Sequence, residues 1–478
     1  MPRRLPALLL TALLAAPLLA ASPPPAQEPP APKLPPGVIP LPAEGAKHLA
    51  ALLRGAETYR GLKARRPVPA GSLGTRALKE KVVEAMAKDF PPERLRAFTA
   101  SLKAFGLIPE GMDLRGYLPD LLSSQVAGFY DPDRKYLALV DLPPSKGDKG
   151  EKGADEVDRD MTLVHELTHA LQDQSFDLDR FENPDPLSDA GTAGEALVEG
   201  DATLTMLDYE SRTDLETTPG MAGVLSGMMR DPRKTIAASP DLPGTREMLA
   251  APAWFRDTLL FSYLQGAAFC LEVRRQGGQK LLDYAFTTDP PRSTEQILHP
   301  EKWYGRRDDP IVLHLPDLAV ELPGYARAAE GELGELGIRI YLREGLGDVD
   351  RAAAAADGWG GDRFAVYEKD AGKKDAGRVI VWASVWDTDA DAGEFRAALA
   401  GLPGWRAESA GPRRVVAAHL GQGNLPPERW AALRARLAAA PAEPPANRPI
   451  DLKAIGVSPR PAAPSPAGAP PLAASPPG

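Results

Sequence analysis

The chain has 478 residues, 43% of them apolar, enough for two or three domains with real cores. Its net charge of −9, with no basic run beyond the first few residues, argues against a nucleic-acid or anionic-membrane partner. Cys270 is the single cysteine, so no intrachain disulfide can form, and its apolar helical surroundings suit a small buried hydrophobe.

Residues 1–21 read as a secretory signal. Arg3 and Arg4 form a positive start, Leu5 to Leu19 an apolar stretch, and Ala20-Ala21-Ser22 a small-residue cleavage zone. The apolar stretch is short for a membrane span and is interrupted by Pro17, so no stable span is expected after cleavage. The mature protein is expected to be exported, to the periplasm or beyond. Residues 22–45 are Pro-rich and read as a stiff linker.

Helical periodicity begins at 46 and recurs over Leu78 to Phe105, with Val83, Met86, Phe90, Leu95, Phe98 and Leu102 on one face. A short helix is expected to end at Leu122. Residues 124–141 change to a period of two, and the Asp131-Pro132-Asp133 turn predicts a β-hairpin. A charged, Gly-rich loop follows at 145–160. Residues 158–176 then contain no Pro or Gly, and Val164, Leu167 and Leu171 recur at helical spacing. Glu195 to Glu210 and Trp254 to Arg275 read as further helices, the latter ended by Gly277-Gly278. From 326 to 440 a small α+β domain is expected, with β-rich stretches at Leu336–Leu342, Arg363–Glu368 and Val379–Trp386. Residues 441–478, rich in Pro and Ala, read as a disordered tail. The expected fold class is α+β, with a mainly helical domain over 46–325 (46–122 its helical N-terminal part), a small sheet, and the C-terminal α+β domain.

The stretch that carries chemistry is His165-Glu166-Leu167-Thr168-His169, an H-E-x-x-H pattern on a helix. Positions i and i+4 lie one above the other, so both imidazoles can reach one metal ion. Glu166 is then placed to accept a proton from the water that the metal activates. A catalytic zinc needs a third protein ligand. The metzincin arrangement would require Gly and His where Gln172 and Ser175 stand, and His299, His314 and His419 lie in unsuitable contexts. A carboxylate on the helix after 195 remains. Glu195 and Glu199 both qualify, with Glu199 favoured because Gly200 permits close approach and Asp201 can support the ligands by hydrogen bonding. Asp173, one turn after His169, is a second candidate for such support.

With Glu199-Gly200-Asp201-Ala202, the pattern resembles the H-E-x-x-H … E-G-x-A of gluzincins, the zinc peptidases that include aminopeptidase-N-like and thermolysin-like enzymes. The loop between the second His and the Glu is longer than in the aminopeptidases. Ser262-Tyr263-Leu264-Gln265-Gly266-Ala267 is similar to their Y-x-K-G-A stretch, with Gln265 in place of Lys. The resemblance spans about 124–305. It implies Zn²⁺ on His165, His169 and Glu199, Glu166 as general base, and Tyr263 steadying the tetrahedral intermediate. It further implies a zincin-like domain in which the strand holding Gly128 and Phe129 pairs with a peptide substrate. The aminopeptidase G-A-M-E-N signature is absent. The expected function is an exported zinc metallopeptidase acting on protein or peptide. The alternative is a non-catalytic envelope-associated binding protein on the same scaffold.

Overall fold

The computed structural model describes residues 34–124, 128–141, 154–181, 185–240, 244–369, 377–421 and 426–457. The signal segment, the first half of the Pro-rich linker and residues 458–478 lie outside them. The fold is mixed α+β. Helix α1 (Ala43–Arg60) ends at Gly61, whose left-handed φ of 76° accommodates the cap. The expected block from Leu78 to Phe105 is two helices, α2 (Thr75–Asp89) and α3 (Pro92–Ala104). Pro91 and Pro92 divide them, because a prolyl nitrogen has no N–H to continue the first helix yet suits the opening turn of the second. Helix α4 (Leu114–Ser123) follows.

Strands β1 (Ile39–Pro40), β2 (Ala70–Gly74), β3 (Gly128–Asp131) and β4 (Tyr136–Asp141) form a sheet in the order β1-β2-β4-β3. The hairpin β3–β4 is antiparallel, β2 runs parallel to β4, and β3 is the edge strand. Helix α5 (Ala154–Phe176) packs beside it, and α6 (Asp189–Ser211) packs on α5. Short helices α7 (Met221–Met228), α8 (Pro232–Ala237) and α9 (Thr245–Ala250) lead into α10 (Ala253–Thr287). Gly278, at φ 64° and ψ −166°, interrupts α10, but the chain resumes helically and buries Leu281, Leu282, Ala285 and Phe286. The helix therefore runs past the expected stop at Gly277-Gly278. Among the described residues no helix is long and apolar enough to cross a membrane.

After α11 (Thr294–Leu298), α12 (Glu301–Tyr304) and strand β5 (Val312–Leu313), the C-terminal part builds a five-stranded sheet. Its strands are β6 (Ala326–Gly331), β7 (Trp359–Lys369), β8 (Gly377–Trp386), β9 (Trp405–Ser409) and β10 (Arg414–His419), in the order β6-β7-β8-β10-β9. Helices α13 (Gly334–Leu346), α14 (Val349–Ala356), α15 (Asp389–Ala400) and α16 (Pro427–Ala438) complete it.

Three expectations fail here. Leu336–Leu342 is helical, not β-rich. Leu336, Ile338, Ile340 and Leu342 mimic strand alternation only because α13 is buried on most of its circumference, and a short apolar run cannot signal its own period. Residues 441–457, expected as tail, are ordered. Strand β11 (Ala442–Glu443) pairs with β5, and Ile450, Leu452, Ile455 and Val457 pack on the main core, an anchor that the Pro/Ala composition hides. Nor does the expected boundary at 326 divide the core. Phe105, after α3, lies 4.9 Å from Phe364 and 5.5 Å from Trp382 between ring centroids, so one apolar cluster joins the helical part to the second sheet.

Helices α6 and α10 cross at two glycines. A Cβ on Gly200 would lie 2.1 Å from the Gly266 carbonyl carbon, and one on Gly266 would lie 2.1 Å from the Ala196 oxygen. Neither clash can be relieved by a side chain, because the obstacles are backbone. Gly200→Ala is expected to lower the unfolding free energy by about 3 kcal/mol or more, read from urea denaturation.

Candidate metal centre

Three helices meet at the H-E-x-x-H stretch. The outer face of α5 (Leu163, Val164, Leu167, Leu171) packs on Leu49, Leu52 and Ala56 of α1 and on Leu137 and Leu139 of β4. Its opposite face carries His165 and His169 toward α6. There Glu199 Oε2 lies 3.1 Å from His165 Nε2 and 3.3 Å from His169 Nε2, and the two Nε2 atoms are 3.0 Å apart. All three side chains are buried. Glu195, one turn earlier on α6, is half-buried and does not join this group.

The electrostatics follow from burial and mutual charge. Burial disfavours the Glu199 carboxylate, but the neighbouring His169 and His165 override it and hold its pKa at about 2. Burial disfavours protonated His169, yet the Glu199 charge raises its pKa to about 9. His165 is lowered, chiefly by burial. Burial, with the Glu199 charge adding to it, raises Glu195 to about 7.

The donor set fits a zinc ion. Bond lengths of about 2.0–2.1 Å at tetrahedral angles put ligand atoms about 3.3 Å apart, close to the separations found here. Glu199 Oε1 and His165 Nδ1 are buried without a hydrogen-bond partner, although buried polar atoms are nearly always satisfied.

Glu166 stands beside this group on the same helix. Its Oε2 accepts from the backbone N–H of Tyr130, at 2.8 Å, on edge strand β3. Burial raises its pKa to about 8, with His169 and the Tyr130 N–H opposing. Because Tyr130 points its N–H away from β4, alternation places Gly128 on the same side and turns the Phe129 backbone toward β4. The Phe129 side chain is also buried, with its ring 6.0 Å from that of Tyr136. Gly128 and Tyr130, rather than Gly128 and Phe129, therefore face α5. Tyr263, on α10, is buried with its ring stacked on His165, centroids 5.7 Å apart and 23° between planes.

The supporting hydrogen bonds differ from expectation. Asp173 does not reach the histidines. It accepts from the Tyr130 hydroxyl and from Lys135 Nζ, each at 2.8 Å, and so ties β3 to α5. The residue behind His169 is Gln172, whose Oε1 is 2.8 Å from His169 Nδ1. Gln172 Nε2 donates to the Val198 carbonyl at 3.0 Å and to Asp201 Oδ2 at 2.8 Å. Asp201 thus acts one step further out. Gln172 had a signal, its i+3 spacing from His169. Tyr130 had none beyond its place in the hairpin.

Among the described residues, the other two clusters of His and carboxylates already hold side-chain cations. Arg339 bonds Glu335 beside His299 and Asp357, and Lys302 bridges Glu295, Asp308 and Asp387.

A family described as a domain of unknown function (DUF8575) matches residues 321–425, which hold the five-stranded sheet and helices α13–α15 and do not include His165, Glu166, His169 or Glu199. No curated protein and no solved structure matches the chain.

Proposed function

We propose that the protein is an exported zinc-dependent metallohydrolase of gluzincin type, a peptidase acting on protein or peptide substrates. The observation that carries this reading is the meeting of His165, His169 and Glu199 from two helices, with the Glu166 carboxylate beside them. His165 and His169 offer Nε2 and Glu199 offers a carboxylate oxygen to the ion. Zinc held there supplies a Lewis acid for the scissile carbonyl and a water whose pKa falls to near neutrality.

Glu166 accepts the proton from the attacking water and passes it to the leaving amine. Burial serves this role, because a base is most useful with a pKa near the working pH. The Tyr130 N–H fixes the orientation of the carboxylate. Tyr263, against His165, is the candidate donor to the oxygen on which negative charge develops. An extended peptide lying along the Gly128–Tyr130 side of β3 would present its backbone next to Glu166. Glu166 and His169 retain only 2% and 3% exposure, which favours an extended segment over a folded surface as the substrate.

Purified protein is expected to carry one zinc ion per chain and to cleave casein. Cleavage should stop with 1,10-phenanthroline and return with added Zn²⁺. Protein without stoichiometric zinc, or cleavage indifferent to the chelator, sinks the proposal.

A further inference from the structure

The N-terminal helix reaches the proposed centre through one fully buried cation. Arg60, in the last turn of α1, has its Nε 2.6 Å from Asp201 Oδ2, its Nη2 2.9 Å from Asp283 and its Nη1 3.0 Å from Gln279 Oε1. Its guanidinium also lies over the rings of Phe176 and Phe286, at 5.5 and 5.6 Å. Tight packing holds the helix in place, since a Cβ on Gly55 would lie 2.5 Å from the Tyr209 ring.

The hydrogen bonds run in one direction from this arginine. Asp201, held against Arg60, can only accept. Gln172 must therefore turn its amide nitrogen toward Asp201 and the Val198 carbonyl, which leaves Oε1 facing His169. An oxygen there requires His169 Nδ1 to keep its proton, which makes Nε2, on the side of Glu199 and His165, the nitrogen that can give up its proton to a metal ion. A flipped amide would set oxygen against carboxylate and carbonyl.

We infer that Arg60 is a positioning residue for the metal centre, setting the His169 tautomer through Asp201 and Gln172, and that α1 is a permanent part of that centre rather than a removable pro-segment. The inference rests on the proposed role of His169 as a ligand. It extends that role to a helix more than a hundred residues upstream in the chain.

The test measures zinc affinity by chelator competition, and the absorption spectrum of the Co²⁺ form, in Arg60→Lys, Gln172→Met and the double variant. Each single variant is expected to bind zinc about 10–100-fold more weakly, the usual cost of losing an outer partner, and to shift the Co²⁺ bands. The double variant should lose little more than either alone, because both cut one chain of bonds. Melting curves on the same samples identify any variant that has unfolded, and Gln172→Met, which keeps side-chain volume, carries the test if Arg60→Lys does. Wild-type affinity and spectrum in folded Arg60→Lys, or additive losses in the double variant, overturn the inference while the proposed function stands. A wild-type protein that binds no zinc overturns both. N-terminal sequencing of the zinc-loaded form should place its start upstream of Ala43, and a start beyond Arg60 overturns the claim about α1.

Discussion

Glu166→Gln protein is expected to keep its zinc and to hydrolyse casein about 10²–10⁴-fold more slowly, the usual worth of a positioned general base. The amide has the shape of the carboxylate, and its carbonyl oxygen can still accept from the Tyr130 N–H, so the contact between α5 and β3 survives. What disappears is proton affinity. Burial and the neighbouring Glu199 charge give Glu166 a pKa of about 8, and an amide has no comparable basicity. Zinc content and initial rate should be measured on the same preparation. Full activity in zinc-loaded Glu166→Gln removes Glu166 from the mechanism. Loss of zinc together with activity shows instead that the residue holds the site together. The same variant separates an enzyme from a metal-holding binding protein, for which this substitution should change nothing.

Glu199→Ala should lose zinc, while Glu195→Ala should keep it within about threefold in affinity. Removing an outer partner commonly costs 10–100-fold, so removing a ligand should cost more than about 100-fold. Glu199 Oε2 is within 3.3 Å of both imidazole Nε2 atoms, and the two histidines keep it ionised. Glu195 lies outside the group, and its pKa near 7 weakens like-charge repulsion along α6. Competition with a chromophoric chelator reads both variants, and circular dichroism checks that Glu199→Ala is folded. The opposite pattern would move the ligand role to Glu195.

Some of this was legible in the chain, because it depends on local geometry. Two histidines four residues apart on a helix share a face whatever surrounds them, so His165 and His169 could be paired, with Glu166 beside them. Pro91-Pro92 and the Asp131-Pro132-Asp133 turn act within a few residues, so the break between α2 and α3 and the β3–β4 hairpin follow from covalent constraints.

Other features depend on what lies across the contact. Glu195 and Glu199 have the same spacing pattern, and only the rotation of α6 against α5 directs Glu199 between the imidazoles. Asp173 has helical spacing for supporting His169, but its turn of α5 faces Tyr130 and Lys135. Phe129 is next to Gly128 in sequence but opposite to it across the strand, because the pleat alternates. Arg60 lies more than a hundred residues before its partner Asp201, and no periodicity links the two. The sequence by itself determined the local elements and the pair of histidines, since bonded geometry over a helical turn is enough for both. The tertiary structure decided which carboxylate meets them, which strand orients Glu166 and which cation stands behind His169, because each of these depends on how separately formed elements pack.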